Sequence, residues 1–225
     1  MKILWITNIV FPEALSQITG QTLLKSSGGW LLGAAYNLLE MDPSINLAVA
    51  SVCDRVTSLT EVAGEQIRYY LIPKGKGNEH YNSEYDKYWK QIKADFNPNV
   101  VHIHGTECSH GLSYINSCSN ENVVISIQGL TTFCSKYYTC GLTWKEIYKN
   151  LTFHDLLRGS IYFQKRYFAK RSRYEQDMIR KTNYIIGRTN WDRVHSTLIN
   201  PNVRYFHCDE VLRDEFYSGE KWNYS

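Results

Sequence analysis

The spacing of short apolar runs constrains this chain more than any other feature. Residues 2–7, 46–52, 67–72, 100–104, 123–127, 184–187 and 203–206 are rich in Val, Ile and Tyr and are too short for stable helices. Several show little polar alternation, as strands do when helices cover both faces. Amphipathic stretches lie between them. Residues 29–41 gather Trp30, Leu32, Ala34, Leu38 and Leu39 into one apolar band and end at Asp42-Pro43. Further helices are predicted over 81–96, 110–117 and 191–198, the first and last stopped by Asn97-Pro98 and Asn200-Pro201. This rhythm predicts a parallel α/β sheet with helices on both faces. Residues 131–182 break it with no convincing strand and read as a helical insertion. The chain thus divides into a domain over 1–208 and, over the polar and aromatic residues 209–225, the start of a linker.

Composition narrows the function classes. A chain of 225 residues, 43% hydrophobic, can bury a full core, which excludes a disordered segment. A net charge of +3 does not point to nucleic acid. The charge is uneven, however: residues 136–181 hold eleven basic and four acidic side chains, a net +7. None of the six cysteines forms a C-x-x-C pair, and the five residues between Cys134 and Cys140 match no common zinc spacing. The apolar residues 1–11 are interrupted by Asn8 and followed by Pro12, so they read as a first strand and not a signal peptide. No run approaches the roughly 20 apolar residues that span a bilayer. These features fit a reducing, cytoplasmic setting.

Candidate functional residues sit where strands end, because ligands of open parallel sheets bind beyond the carboxyl ends of the strands. The loop predicted over 8–27 delivers Gly28 and Gly29 to the start of a helix, where free N–H groups favour phosphate; a flexible turn explains the same glycines. In Val100-Val101-His102-Ile103-His104-Gly105-Thr106-Glu107, alternation puts His102 and His104 on one face, with His104 at the tip. Gln128, ending the next strand before Gly129, offers a donor and an acceptor to sugar hydroxyls but cannot act as a general base. Arg188 follows Gly187 and suits phosphate or carboxylate. Thr189 or Asn190 can cap the next helix, and Asp192 and Arg193 read as a surface pair. His154 is within possible reach of the cleft. The aromatic and basic run 162–171 fits either an anionic membrane surface or a helix packed on the sheet with its cations outward. No G-x-G-x-x-G supports nicotinamide binding, and no G-x-S-x-G supports a hydrolase.

Taken together, the landmarks resemble the N-terminal half of family 4 (group 1) glycosyltransferases. The resemblance rests on Met1-Lys2-Ile3-Leu4-Trp5-Ile6, Gly28-Gly29-Trp30, the His102-Ile103-His104-Gly105 strand end, Ile125-Ser126-Ile127-Gln128-Gly129, and Gly187-Arg188-Thr189 with Trp191-Asp192-Arg193. It covers nearly the whole chain, and its weight lies in the order and spacing of the motifs. It implies a Rossmann-like, acceptor-side domain of the two-domain GT-B fold. It also implies retaining transfer of a hexose from a nucleotide-diphosphate sugar to an acceptor hydroxyl, with neither cofactor nor active-site metal, in cell-surface polysaccharide synthesis. By this resemblance Gly28 and Gly29 would touch the donor phosphates. His104, Gln128 and Arg188 would line the acceptor side, with His104 and Gln128 at the reaction centre. The family commonly carries His where this chain has Gln128. The donor half with its paired glutamates would lie beyond Ser225, so the chain alone is expected to be inactive. A stand-alone binding module of the same fold is the alternative. The implied partners are a nucleotide-sugar donor, a sugar or lipid-linked acceptor, and the inner face of the membrane through 158–181, with no nucleic acid.

Overall fold

A computed structural model describes residues 1–21, 29–75, 81, 83–212 and 214–221. Eight strands form one sheet: β1 (Lys2–Thr7), β2 (Asn46–Cys53), β3 (Thr60–Ala63), β4 (Ile67–Pro73), β5 (Val100–His104), β6 (Val123–Ser126), β7 (Tyr184–Gly187) and β8 (Arg204–His207). Their order is β3-β4-β2-β1-β5-β6-β7-β8. Every pairing is parallel except β3 with β4. The expected parallel α/β sheet is therefore present, with its strand order reversing between β1 and β5.

Strand β3 was not anticipated. Its four residues direct only Val62 inward, so neither an apolar run nor a regular alternation marks it. The helices are α1 (Pro12–Thr19), α2 (Gly29–Met41), α3 (Asp86–Phe96), α4 (His110–Cys118), α5 (Thr131–Tyr137), α6 (Trp144–Lys149), α7 (Phe153–Arg158), α8 (Ile161–Lys181), α9 (Asn190–Ile199) and α10 (Asp214–Ser218). Helix α1 corrects the expectation of a loop over 8–27. Pro12 is a first-turn residue rather than a terminator, because the N–H it lacks would have no helical partner there. Helix α10 likewise gives the expected linker a regular element.

The two sheet faces carry separate cores. On one, Ile3, Trp5, Leu47, Val49, Tyr69 and Leu71 pack with Ala14 of α1 and Leu31, Leu32, Ala35 and Leu39 of α2. On the other, Leu4, Ile6, Val101, Ile103, Ile125 and Ile185 meet Trp89, Ile92 and Phe96 of α3, Leu112 and Ile115 of α4, and Met178 and Ile179 of α8. The strandless stretch thus supplies the helix that carries the chain from β6 to β7. Only the C-terminal half of α8 is tied into this core, where Ser172, Glu175, Met178 and Ile179 are buried.

Candidate functional site

Parallel register lines up residues from four strands on the α1–α2 face of the sheet. His104 pairs with Ser126, Ser126 with Ile186, and Ile186 with Phe206. Two residues further along their chains, Gln128 and Arg188 continue on that face past the strand ends. The result is a crevice of about 140 Å³ lined by Trp5, Trp30, His102, His104, Gln128 and Arg188, among others, and closed by residues 208–211 after β8. Three of the sequence-predicted residues, His104, Gln128 and Arg188, therefore meet although they are far apart in the chain.

The glycines fare differently. Gly28 lies outside the described residues. Gly29 opens α2 but does not itself line the crevice; its neighbour Trp30 does. The reason is the anchoring of α2 through Leu31 and Ala35, whose first turn swings the Trp30 indole to 6.0 Å from the His104 ring.

His104 is buried against aromatic rings, 4.3 Å from Trp5 and 3.8 Å from His102 between centroids. Both its ring nitrogens lack a hydrogen-bond partner among the described residues. Burial, and then the neighbouring His102, hold its pKa well below the usual histidine value, so at neutral pH it offers one donor and one acceptor. His102 is pushed down to about 4 by burial, and its Nε2 meets the Ser126 hydroxyl at 2.6 Å.

Arg188 is positioned on three sides. Its backbone N–H donates to Asp192 at 3.0 Å, its guanidinium donates to the Gln128 carbonyl at 3.0 Å, and Nη1 pairs with Glu210 at 2.6 Å. The Glu210 carboxylate shows where an anion sits against this guanidinium. Asp192 completes a capping box with Thr189 at the start of α9, so it acts on backbone N–H groups and makes no ion pair with Arg193 among the described residues. The expected surface pair is thereby corrected. His154 is exposed on α7 and is not among the residues that line this crevice.

The sequence reading passed over one carboxylate at the strand tips. Gly105 takes φ +88°, and a Cβ there would collide with the Glu107 carboxylate. Asn8 Nδ2 donates to Glu107 at 3.3 Å, so this side chain bridges the ends of β1 and β5. Burial raises its carboxyl above the ordinary value, with the Glu175 charge adding to the shift. Glu175 itself is fully buried on α8 and accepts from the Thr106 hydroxyl at 2.7 Å and from the Thr131 and Thr132 N–H groups at 2.9 and 2.7 Å. That network fixes the β5 tip against the start of α5. The available signal for Glu107 was its place two residues after a glycine at a strand end, which the two preceding histidines overshadowed.

Open α/β sheets of this kind hold ligands beyond their strand ends, and polar residues of this chain converge there. No protein-family model and no curated protein matches the sequence. Among solved structures, the chain is similar to a sucrose-phosphate synthase from Thermosynechococcus elongatus, at 10% identity over 92% of this chain and 47% of that one, with a TM-score of 0.48. It is similar at the same identity and TM-score to a ugt transferase from Siraitia grosvenorii in complex with UDP, over 91% of this chain and 47% of the other. A trehalose-6-phosphate synthase matches at 10% identity over 87% and 42%, with a TM-score of 0.41. The chain spans about half the length of these proteins or less. The fold class stands on the strand order and helix placement above.

Proposed function

We propose that this chain is the acceptor-side half of a GT-B glycosyltransferase of the family 4 kind. It moves a hexose, with retention, from a nucleotide-diphosphate sugar to an acceptor hydroxyl in cell-surface polysaccharide synthesis. One observation carries the reading: His104, Gln128 and Arg188, from three different strands, share one crevice beyond the sheet with Trp30 at the start of α2. Neutral His104 and the Gln128 amide suit hydroxyls, and Arg188 suits a phosphate oxygen that would take the place of Glu210. Gly29, the first residue of α2, and Gly28 before it in the sequence contact the donor phosphates. The donor nucleotide is held by a second domain, so the crevice forms one wall of the active site, and no metal is required.

The work takes place at the cytoplasmic face of a membrane. Among the described residues no helix is long and apolar enough to cross one. The contact is peripheral and uses the N-terminal part of the 158–181 stretch together with α6 and α7, because the C-terminal half of α8 is packed in the core. Trp144, Tyr148, Phe153, Leu157 and Phe163 are exposed along α6, α7 and the first turn of α8. The acids of α6 and α7, Glu146 and Asp155, are occupied in capping boxes, which leaves Lys145, Lys149 and Lys165 to face anionic lipid.

The test is hexose transfer by the complete gene product. Replacing His104 with Ala lowers turnover by about tenfold or more, the scale of a positioned polar group in a transition state. Unaltered turnover removes His104 from the site, and failure of every nucleotide-diphosphate hexose to serve as donor removes the reading.

A further inference from the structure

A larger cavity, about 500 Å³, opens where the strand order reverses between β1 and β5. Its lining includes Asn8, Arg55, Lys74, Glu107, His110 and Arg171, contributed by the ends of β1, β2, β4 and β5, by the start of α4 and by α8. We propose that this cavity is a subsite for a hexose bearing an anionic group, a phosphate or a carboxylate. Lys74 and Arg55 hold the anion, and Glu107, Asn8 and His110 hold the hydroxyls. The assignment rests on the transferase reading only in making this ligand the acceptor.

The division of labour follows from the chemistry of each side chain. Lys74 is exposed at the mouth. Arg55 pairs with Asp54 at 3.6 Å, with both side chains about two-thirds exposed, a pair worth little and readily exchanged for a ligand anion. Arg171 adds positive charge, its guanidinium held by the Glu107 carbonyl and stacked on Tyr167 and Phe168. On the inner wall the arrangement changes from cationic to hydroxyl-binding. The Glu107 carboxylate accepts from Asn8 and has oxygen lone pairs left for sugar hydroxyls. His110 is the independent sign of a ligand. It is 7% exposed, lines the cavity, and has neither ring nitrogen partnered among the described residues. A buried imidazole without partners is costly, and a polyol supplies both the donor and the acceptor that it lacks. Burial keeps it neutral, with a pKa of about 4, so it does not compete with the two cations for the anion. The switch point beyond the carboxyl ends of a parallel sheet is also where small ligands of such folds bind.

The experiment is titration calorimetry of the 225-residue chain with glucose 6-phosphate, glucuronate, glucose and inorganic phosphate. At least one of the two anionic hexoses binds about tenfold or more tightly than glucose, and the better of them identifies the anion. Lys74→Ala, at an exposed position, weakens that hexose about tenfold. Glu107→Gln weakens it similarly and leaves inorganic phosphate unchanged; if that variant misfolds, Asn8→Ala gives the same reading. Equal affinity for glucose and both anionic hexoses overturns the proposal. So does inorganic phosphate binding as tightly as the better anionic hexose, or Lys74→Ala without effect. Anionic-hexose binding without transfer by the complete gene product from any nucleotide-diphosphate hexose overturns the transferase reading and leaves the subsite standing. Transfer to a neutral acceptor with KM unmoved by Lys74→Ala does the reverse.

Discussion

At the scale of single residues, Gly105 carries the geometry of the β5 tip. Its N–H closes onto the Ser126 carbonyl at 2.9 Å while its φ of +88° turns the chain away, and the Glu107 carboxylate lies where a side chain would go. Gly105→Ala is expected to cost about 1–2 kcal/mol, the penalty for an L-residue in the left-handed region. Urea denaturation reads that loss, and an unchanged midpoint contradicts the assignment. The buried imidazoles set a pH dependence of stability. His110 has its pKa lowered to about 4 by burial, so the unfolded chain takes up a proton that the folded chain refuses. Its contribution is complete above about pH 6.5 and is lost as pH falls through that value toward 4, by about 2 kcal/mol at pH 5. His102 and His104 act in the same direction. Urea midpoints at pH 7 and pH 5 should therefore fall with acid, and His110→Leu should flatten the slope. Equal stability at the two pH values contradicts the burial described.

At the scale of elements, helices α6 and α7 between β6 and β7 combine strong N-terminal caps with outward apolar residues. Phe153 is 75% exposed, Tyr148 74% and Trp144 65%. Helices this short draw little stability from propensity, so the capping boxes of Thr143 with Glu146 and Thr152 with Asp155 hold them. Replacing Trp144 and Phe153 together with Ser is expected to leave thermal melting unchanged and to weaken binding to phosphatidylglycerol vesicles about tenfold or more, from the apolar area no longer buried. Co-sedimentation measures this, and binding that ignores either the substitutions or the anionic lipid contradicts it. Most elements were legible beforehand: β1, β2 and β4 to β8 lie within a residue or so of their apolar runs, and α2, α4 and α9 near their amphipathic stretches. Two were hidden for opposite reasons. Helix α1 begins at a proline, a residue that starts helices as well as ending them, and β3 depends on Val62 alone to mark its inner face. The crevice could be inferred through His104, Gln128 and Arg188 because alternation fixes a side chain's face once the strand end is known. Glu107 could not, because it stands past the strand in a turn whose direction depends on Gly105.

At the scale of the whole molecule, the helices are unequally shared between the two faces. Helices α1 and α2 cover β1, β2 and β4 on one side, and α3, α4 and α8 cover the sheet on the other. The crevice occupies the first face over β5 to β7, at the edge of α2, whose Trp30 and Ala34 line it. On the proposed transferase reading a donor-binding domain closes over that side, so this chain by itself is expected to show no hexose transfer above background. A donor-turnover assay of the isolated chain checks this, and transfer at enzymatic rates would show that it needs no second domain.

The margins of the sheet have a consequence of their own. Both outermost strands, β3 and β8, are four residues long, a ledge of roughly 13 Å. Along β3 the ledge is held by the Glu61–Arg68 ion pair at 2.6 Å, and on β8 the Arg204 cation lies over the Tyr184 and Phe206 rings. A stray extended segment seeking main-chain partners finds few free rungs at either end and charge beside them, so the sheet resists recruiting further strands from its neighbours.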